Sequence, residues 1–281
     1  MRYCVDYTEE TSKKCNVDFQ LLEKMDEINI YYNEKDLTLY EFLLKFKEKR
    51  INIVLDIEKS INISIIDKII EIQQENKHIY LVLNSYNEKI YNYISNKNIP
   101  FYYQNVIKDW ETFNFYNSLE ITDLYISGDL CFELEKVKSL LKNNKVLRIF
   151  PNVLQKNNEN GEDIKGFFIR PDDTDLYEKY ITTFELKSPF DLFEKNYYNL
   201  NTIFDIYKNS KRWFGNLKEI IIGCNEDLDS RYILPTFTEK RMNCGRKCYK
   251  GSKCNICQEI KNLSLTLEKA GIYIKGKEED K

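Results

Sequence analysis

The sequence predicts an α/β fold, a (β/α)8 TIM-like barrel followed by a C-terminal helical, cysteine-rich appendage. Two observations predict the barrel: short β-branched or aromatic runs alternate with amphipathic helical stretches, and this alternation recurs eight times. The appendage is predicted because the alternation stops near residue 188 and a cysteine cluster follows it. We therefore predict a barrel over residues 20–188 and an appendage over 189–275, which contains a metal loop at 240–257.

The predicted strands are apolar on both faces, which is typical of parallel sheets that are covered by helices. Their connections are long enough for parallel pairing and carry apolar residues three and four positions apart. Eight units of this kind close a barrel, and an open doubly wound α/β sheet is the alternative. The strands are predicted to begin at Ile28, Ile51, Ile79, Phe101, Asp123, Val146, Gly166 and Thr182, with clear helical patterns at 39–46, 65–72 and 132–141.

Composition excludes several classes of protein. The chain has 42 basic and 45 acidic residues, a formal charge of -3, so it is not a globally basic nucleic-acid coat. Hydrophobic residues make up 42%, which is too many for a disordered chain. The first twenty residues are polar, and the apolar runs are shorter than the roughly 20 residues that a membrane helix needs. We predict a cytoplasmic protein with no membrane partner.

The single histidine, His78, limits the available chemistry. A Ser-His-Asp triad or a histidine-built metal site would have to use it, yet it precedes an apolar run and is predicted to lie at the entrance of a strand. True proteolysis is therefore disfavoured. No glycine-rich phosphate-binding motif of either common kind, GxGxxG or GxxxxGK[ST], occurs in the chain.

The C-terminal cysteines are the strongest chemical signal. Cys244, Cys248, Cys254 and Cys257 follow a C-x3-C-x5-C-x2-C spacing, and six cations with no acid lie between residues 240 and 257. Cations favour thiolates, so we predict a metal site that holds either Zn²⁺ or a 4Fe-4S cluster. Free or redox-active thiols are the alternative. The basic loop is also a candidate surface for contact with RNA or DNA.

The candidate catalytic residues are polar side chains at the carboxyl-terminal ends of the predicted strands, where barrel enzymes place their active sites. Arg170 is predicted to hold an anionic substrate, and Asp172 or Asp173 to act as acid or base. Asp56 and Glu185 complete the set. The alternative is that Asp172 or Asp173 caps the helix at 174–180, while Arg170 forms an ion pair with Glu185 or Asp56.

Three segments resemble the collagenase-like "peptidase" family: ISGDLCFELEKVK at 126–138, RIFPNV at 148–153 and FFIRPDD at 167–173. The resemblance covers roughly residues 20–260. It implies a barrel that carries an iron–sulfur cluster on four cysteines and hydroxylates RNA bases or quinone precursors. The chain also resembles proteins of phages and AT-rich bacteria, which share the landmarks 213–215, 229–231 and the cysteine loop.

Two functions are consistent with these patterns. The first is a metal-cluster-containing, hydroxylase-like enzyme that modifies a nucleic acid base or a small aromatic substrate. The second is a non-enzymatic binding or scaffold protein in which zinc only cross-links the C-terminal loop.

Overall fold

The computed structural model describes residues 1–7, 19–32, 46–57, 63–155, 166–187, 199–209, 213–225, 228–233, 235–242, 244–245 and 257. The strands of this part are β1 (Arg2–Tyr7), β2 (Glu27–Tyr31), β3 (Arg50–Leu55), β4 (Ile79–Leu83), β5 (Phe101–Tyr103), β6 (Val106–Ile107), β7 (Asp123–Ile126), β8 (Val146–Ile149) and β9 (Thr183–Leu186). The α-helices are α1 (Phe19–Lys24), α2 (Ile63–Glu75), α3 (Glu88–Ser95), α4 (Trp110–Ser118), α5 (Leu134–Leu140), α6 (Thr174–Tyr177), α7 (Leu200–Asn209) and α8 (Pro235–Met242). Short 3-10 turns lie at Gly128–Phe132, Pro171–Asp173, Leu217–Glu219 and Ser230–Tyr232.

The strands form one parallel sheet of nine, in the order β5-β4-β3-β2-β1-β9-β8-β7-β6. β1 lies at its centre, between β2 and β9. The two edge strands, β5 and β6, are consecutive in the chain and are separated only by Gln104 and Asn105. The backbone N–H of Thr122, just before β7, donates to the carbonyl of Phe101 in β5 at 3.0 Å. The sheet is therefore strongly curled, and we describe it as a half-barrel.

The prediction of a closed (β/α)8 barrel with eight alternating units is wrong. β1 was not predicted, because the first residues of the chain were interpreted only as a polar segment. The predicted strand at 101–106 divides into β5 and β6, which pair with β4 and β7 and not with each other. The ladder is interrupted there, so the sheet ends in two edges and does not close.

The predicted strand that begins at Gly166 is also absent from the sheet. Phe167 forms an isolated antiparallel bridge with Gln155, and the N–H of Ile169 donates to the carbonyl of Pro151 at 3.1 Å. A short apolar run does not distinguish a strand from a buried extended segment, which explains the error.

The other predicted strands correspond to β2, β3, β4, β7, β8 and β9, and His78 precedes β4 as expected. The helical patterns at 65–72 and 132–141 correspond to α2 and α5. Two further helices begin at side-chain caps: the carboxylate of Asp109 accepts the N–H of Thr112 at 2.8 Å, and Asn87 caps α3 in the same way. The pattern at 39–46, except for Phe46, lies outside the described residues.

The two faces of the sheet differ in chemistry. In β2, for example, Ile28 and Ile30 alternate with Glu27 and Asn29, and all four side chains are buried. Most side chains on the face that carries Ile28 are apolar, and helices such as α2, which buries Ile66, Ile69 and Ile70, supply apolar surfaces to cover it.

The polar face is concave. β3 and β7 are five positions apart in the sheet order, which would separate them by about 24 Å in a flat sheet. Arg50 at the start of β3 nevertheless contacts Asp123 of β7 at 2.8 Å. This contact requires the sheet to curl around its polar face.

In the described part of the chain, no helix has both the length and the apolar character needed to cross a membrane.

Candidate functional site

Charged residues on the polar face form an inner ion cluster, which consists of Arg2, Glu27, Arg50, Asp123 and Arg148. The first four begin their strands, and Arg148 is the third residue of β8. The Glu27 carboxylate, fully buried on β2, pairs with Arg2 at 2.9 Å, with Arg50 at 3.5 Å and with Arg148. Arg148 Nε lies 2.5 Å from the Asp123 carboxylate, which also binds Arg50. Five strands are therefore cross-linked inside the curl by ion pairs.

Electrostatics favours the ionised form of Asp123. Burial by itself would raise the pKa of the Asp123 carboxyl, but the Arg148 and Arg50 guanidinium groups outweigh it and lower that pKa. Each buried charged group of the cluster contacts a group of opposite charge. Proteins tolerate charged side chains in their interior under this condition.

Two asparagines connect this cluster to the carboxyl-terminal ends of the strands. The Asn52 amide donates to Glu27 at 3.3 Å and to the side-chain oxygen of Asn29 at 2.8 Å. The thiol of Cys4 donates to the same Asn29 oxygen at 3.3 Å. Asn29 in turn donates to the carboxylate of Asp6 at 2.8 Å.

The second charged group, which we call the edge cluster, consists of Asp6, Tyr125, Glu185 and Lys187. The Lys187 ammonium lies just after β9 and contacts the carboxylates of Asp6 and Glu185, each at 2.6 Å. Tyr125 donates its hydroxyl hydrogen to the other Glu185 oxygen. The Lys187 and Asp6 side chains remain 27% and 19% exposed, whereas Glu185 is fully buried.

The position and charge of Lys187 are fixed by its surroundings. The buried Asn152 amide donates to the Lys187 carbonyl at 2.8 Å, and its oxygen accepts the Lys187 N–H at 3.0 Å. Burial would lower the pKa of this ammonium, but Glu185 and Asp6 raise it well above its usual range. The cationic form of Lys187 is therefore favoured at the carboxyl edge of the sheet.

Aromatic rings lie beside the edge cluster. The Lys187 ammonium is 4.7 Å from the centre of the Phe150 ring. Tyr31, at the end of β2, is 38% exposed, and its hydroxyl donates to the side chain of Gln104 at 3.2 Å. Burial and the Asp6 carboxylate raise the pKa of Tyr31, whereas Lys187 lowers it.

Of the candidate catalytic residues, Glu185 lies in the edge cluster. Asp56 follows β3 at the same edge of the sheet and accepts a hydrogen bond from Asn84 at 2.6 Å. The ion pair between Arg170 and Glu185 or Asp56, given above as the alternative to a catalytic role, does not form: Glu185 pairs with Lys187, and Arg170 pairs with Asp173.

Arg170, Asp172 and Asp173 form a separate cluster that holds the C-terminal segments. Arg170 makes two bonds of 2.6 Å to the Asp173 carboxylate and donates to the carbonyls of Ser230, at 2.9 Å, and Ile233. Thr238 also donates to Asp173 at 2.6 Å. Asp172 accepts the Trp213 N–H at 2.6 Å, and burial raises the pKa of its carboxyl. All three Arg170 nitrogens bind protein acceptors, which supports a structural role.

Sequence reasoning missed Asp6 and Lys187. Asp6 was overlooked together with β1, although RYCVDY has the composition of a strand. Lys187 follows Glu185 by two residues, so both side chains lie on one face of the strand end, and this spacing was the available signal.

The predicted metal loop is described only in part. Cys244 and Cys257 are half-buried and pack against the core, whereas Cys248 and Cys254 lie outside the described residues. Within the described residues no group of three or more His, Cys, Asp or Glu side chains is arranged to hold a metal. The Gly245 N–H donates to the carbonyl of Phe132 at 2.9 Å, so the loop begins beside the segment that follows β7.

Comparison with known proteins identified no relative: no protein-family model, no curated protein and no solved structure matches the chain. The resemblance to the collagenase-like family therefore stays a prediction.

The Arg170 cluster gives a stability prediction. Asp173→Ala leaves the buried Arg170 guanidinium without its carboxylate, so we expect a loss of about 3–5 kcal/mol in the free energy of unfolding. Urea denaturation followed by circular dichroism measures it. The matched control is Asp175→Ala, two residues away and exposed, which should change stability by about 0.5 kcal/mol or less. Equal stability of the two variants would contradict the structural role.

Proposed function

We propose that the protein is an enzyme whose active site is the edge cluster, and that it acts on a small planar substrate such as a nucleobase or another aromatic compound. The observation that carries this proposal is the partly exposed Lys187 ammonium, held between two carboxylates at the carboxyl edge of a parallel sheet. In open α/β sheets and in barrels, ligands bind at this edge.

The arrangement suits proton transfer. The Asp6 carboxylate, 19% exposed, is the base that accepts a proton from the bound substrate. The electron pair left on the substrate is stabilised by the Lys187 ammonium, which uses two of its three N–H donors for Asp6 and Glu185. Glu185, itself fixed by Tyr125, positions Lys187 and does not touch the substrate.

A planar substrate is supported by Tyr31, which is 38% exposed and interacts with the Asp6 carboxylate. Phe150 is buried between Lys187 and the stacked ring of Tyr125 and does not face the substrate. Aromatic faces stack on planar rings, and this contact tolerates different ring systems.

The test is ligand binding to the full chain. A panel of nucleobases, nucleosides and small aromatic acids is screened by ligand-observed NMR, and the affinity of each binder is then measured for variants. We expect Lys187→Met to weaken binding at least tenfold, because a charge-assisted hydrogen bond is lost. Lys138→Met, on the exposed side of α5, is the control and should bind as the wild type does. Unchanged affinity in Lys187→Met, or a panel with no binder at all, would refute the proposal.

A second candidate function, a thiolate metal centre in the C-terminal loop, is favoured by Arg241. Its guanidinium is buried and lies 4.9–5.3 Å from the rings of Phe132, Phe168 and Phe237. It donates to the Gly166 carbonyl, and among the described residues its Nε has no hydrogen-bond partner and no carboxylate pairs with it.

A buried cation of this kind suits a neighbouring anionic centre. Cys244 is three residues further along, and the proposed ligands are Cys244, Cys248, Cys254 and Cys257. An iron–sulfur cluster would supply electron transfer there, and zinc would supply a structural cross-link. A cytoplasmic, reducing location belongs to this proposal, since clustered thiols then bind metal instead of forming disulfides. Contact of the basic loop with RNA or DNA stays a prediction.

The metal proposal is tested on protein purified without oxygen, by metal and sulfide analysis and an absorption spectrum. We expect either about four irons with sulfide and a band near 400 nm, or one zinc without colour. Cys244→Ser should lose the metal, whereas Cys4→Ala, whose thiol is buried in the concave face, should keep it. Absence of both metals would refute the ligand set.

A further inference from the structure

The edge cluster presents a hydrogen-bond acceptor and a hydrogen-bond donor side by side. Asp6 Oδ2 and the Lys187 ammonium nitrogen are 2.6 Å apart, and both side chains are partly exposed. Asp6 Oδ1 accepts from Asn29 and Oδ2 accepts from Lys187, and each carboxylate oxygen has a second lone pair that can accept from another donor. Lys187 donates to Asp6 and Glu185 and carries a third N–H. A ligand at this edge therefore meets an acceptor and a donor at adjacent positions.

The complementary group on a ligand is a donor next to an acceptor, and an amide with its N–H and C=O on the same side supplies both. Standard bond lengths place the nitrogen and oxygen of an amide about 2.2 Å apart. This separation is close to the 2.6 Å between the Asp6 and Lys187 atoms, so two nearly parallel hydrogen bonds can form. A trans peptide bond does not fit, because its N–H and C=O point in opposite directions. A ring holds the amide in the form that fits.

Tyr31 selects a flat ring. It lies two residues after Asn29 in β2, so both side chains project from the polar face, and the Asn29 amide contacts Asp6 at 2.8 Å. The Tyr31 hydroxyl donates to Gln104 at 3.2 Å, which holds the aromatic ring at the carboxyl edge while 38% of the residue stays exposed. A planar ligand that binds Asp6 can stack on this aromatic ring.

The charges of the edge cluster favour a neutral ligand. A carboxylate ligand would meet the like charge of Asp6 and would offer it no donor. A cationic amidine would meet the like charge of Lys187 and would offer it no acceptor. A neutral amide satisfies both residues without either repulsion.

We propose that the substrate of the edge cluster is a neutral, planar cyclic amide, whose ring N–H donates to Asp6 and whose adjacent carbonyl oxygen accepts from Lys187. This inference rests on the proposed function and specifies its substrate class. In the proton transfer, the ring N–H bond breaks and an O–H bond forms on Asp6. The electron pair that remains spreads from the ring nitrogen to the carbonyl oxygen, which faces the Lys187 ammonium.

Uracil and its derivative with both ring nitrogens methylated test the proposal, because methylation removes the N–H donors and keeps the ring and its carbonyls. Dissociation constants for the full chain are measured by ligand-observed NMR. We expect uracil to bind at least about tenfold more tightly than the methylated derivative, since methylation removes a hydrogen bond to a carboxylate. In Asp6→Asn this ratio should fall below about threefold, because an amide has one acceptor oxygen in place of two. The exposed control Asp175→Asn should keep the wild-type ratio.

Equal affinity of the wild type for uracil and its methylated derivative overturns the cyclic amide as the substrate class, and so does tighter binding of benzoate or benzamidine than of uracil. In either case, weaker binding of the same ligands by Lys187→Met still supports the proposed function. If no ligand binds, or if Lys187→Met leaves the affinity unchanged, both proposals fail. The wild-type comparison needs no variant, so its result does not depend on whether Asp6→Asn folds.

Discussion

Buried carboxylates are stable inside this sheet only because arginines from distant strands reach them. Glu27 and Asp123 would be costly in an apolar interior, and Arg50 and Arg148 supply the opposite charges from β3 and β8. Those contacts exist only when the sheet is curled around its polar face. The ion cluster therefore couples the shape of the sheet to its electrostatics, and removal of one partner leaves an uncompensated charge in the interior.

The candidate active site depends on the same polar face. A hydrogen-bonded path runs from Glu27 through Asn52 and Asn29 to Asp6, and from there to Lys187. Asp6 and Lys187 are thus held by rigid strands that are themselves cross-linked at their other ends. A site held in this way keeps its charges in place without a bound ligand, which is the arrangement that electrostatic catalysis requires.

Much of the fold could be predicted from local patterns, and the remainder depends on contacts that no local pattern records. The runs at Ile51 and Ile79 were recognisable as strands because they are continuous and apolar. The split after Tyr103 was not, because it depends on which neighbours β5 and β6 find across the curl. At the site, Glu185 was identified from its place near the carboxyl end of a strand. Asp6, which binds the same Lys187 ammonium, was missed together with β1. Arg170 follows an apolar run, as a residue at the end of a strand does. Its guanidinium nevertheless donates to the Ser230 carbonyl in the C-terminal part of the chain.

The central claim is that the sheet curls around its polar face, and a double-mutant cycle between Arg50 and Asp123 tests it most directly. Arg50→Met, Asp123→Asn and the double variant are compared with the wild type by urea denaturation at low salt. Contact across the curl predicts a coupling free energy of at least about 1 kcal/mol, as for residues that share an ion pair. Additive effects, with a coupling below about 0.3 kcal/mol, would place the two residues apart and contradict this structure.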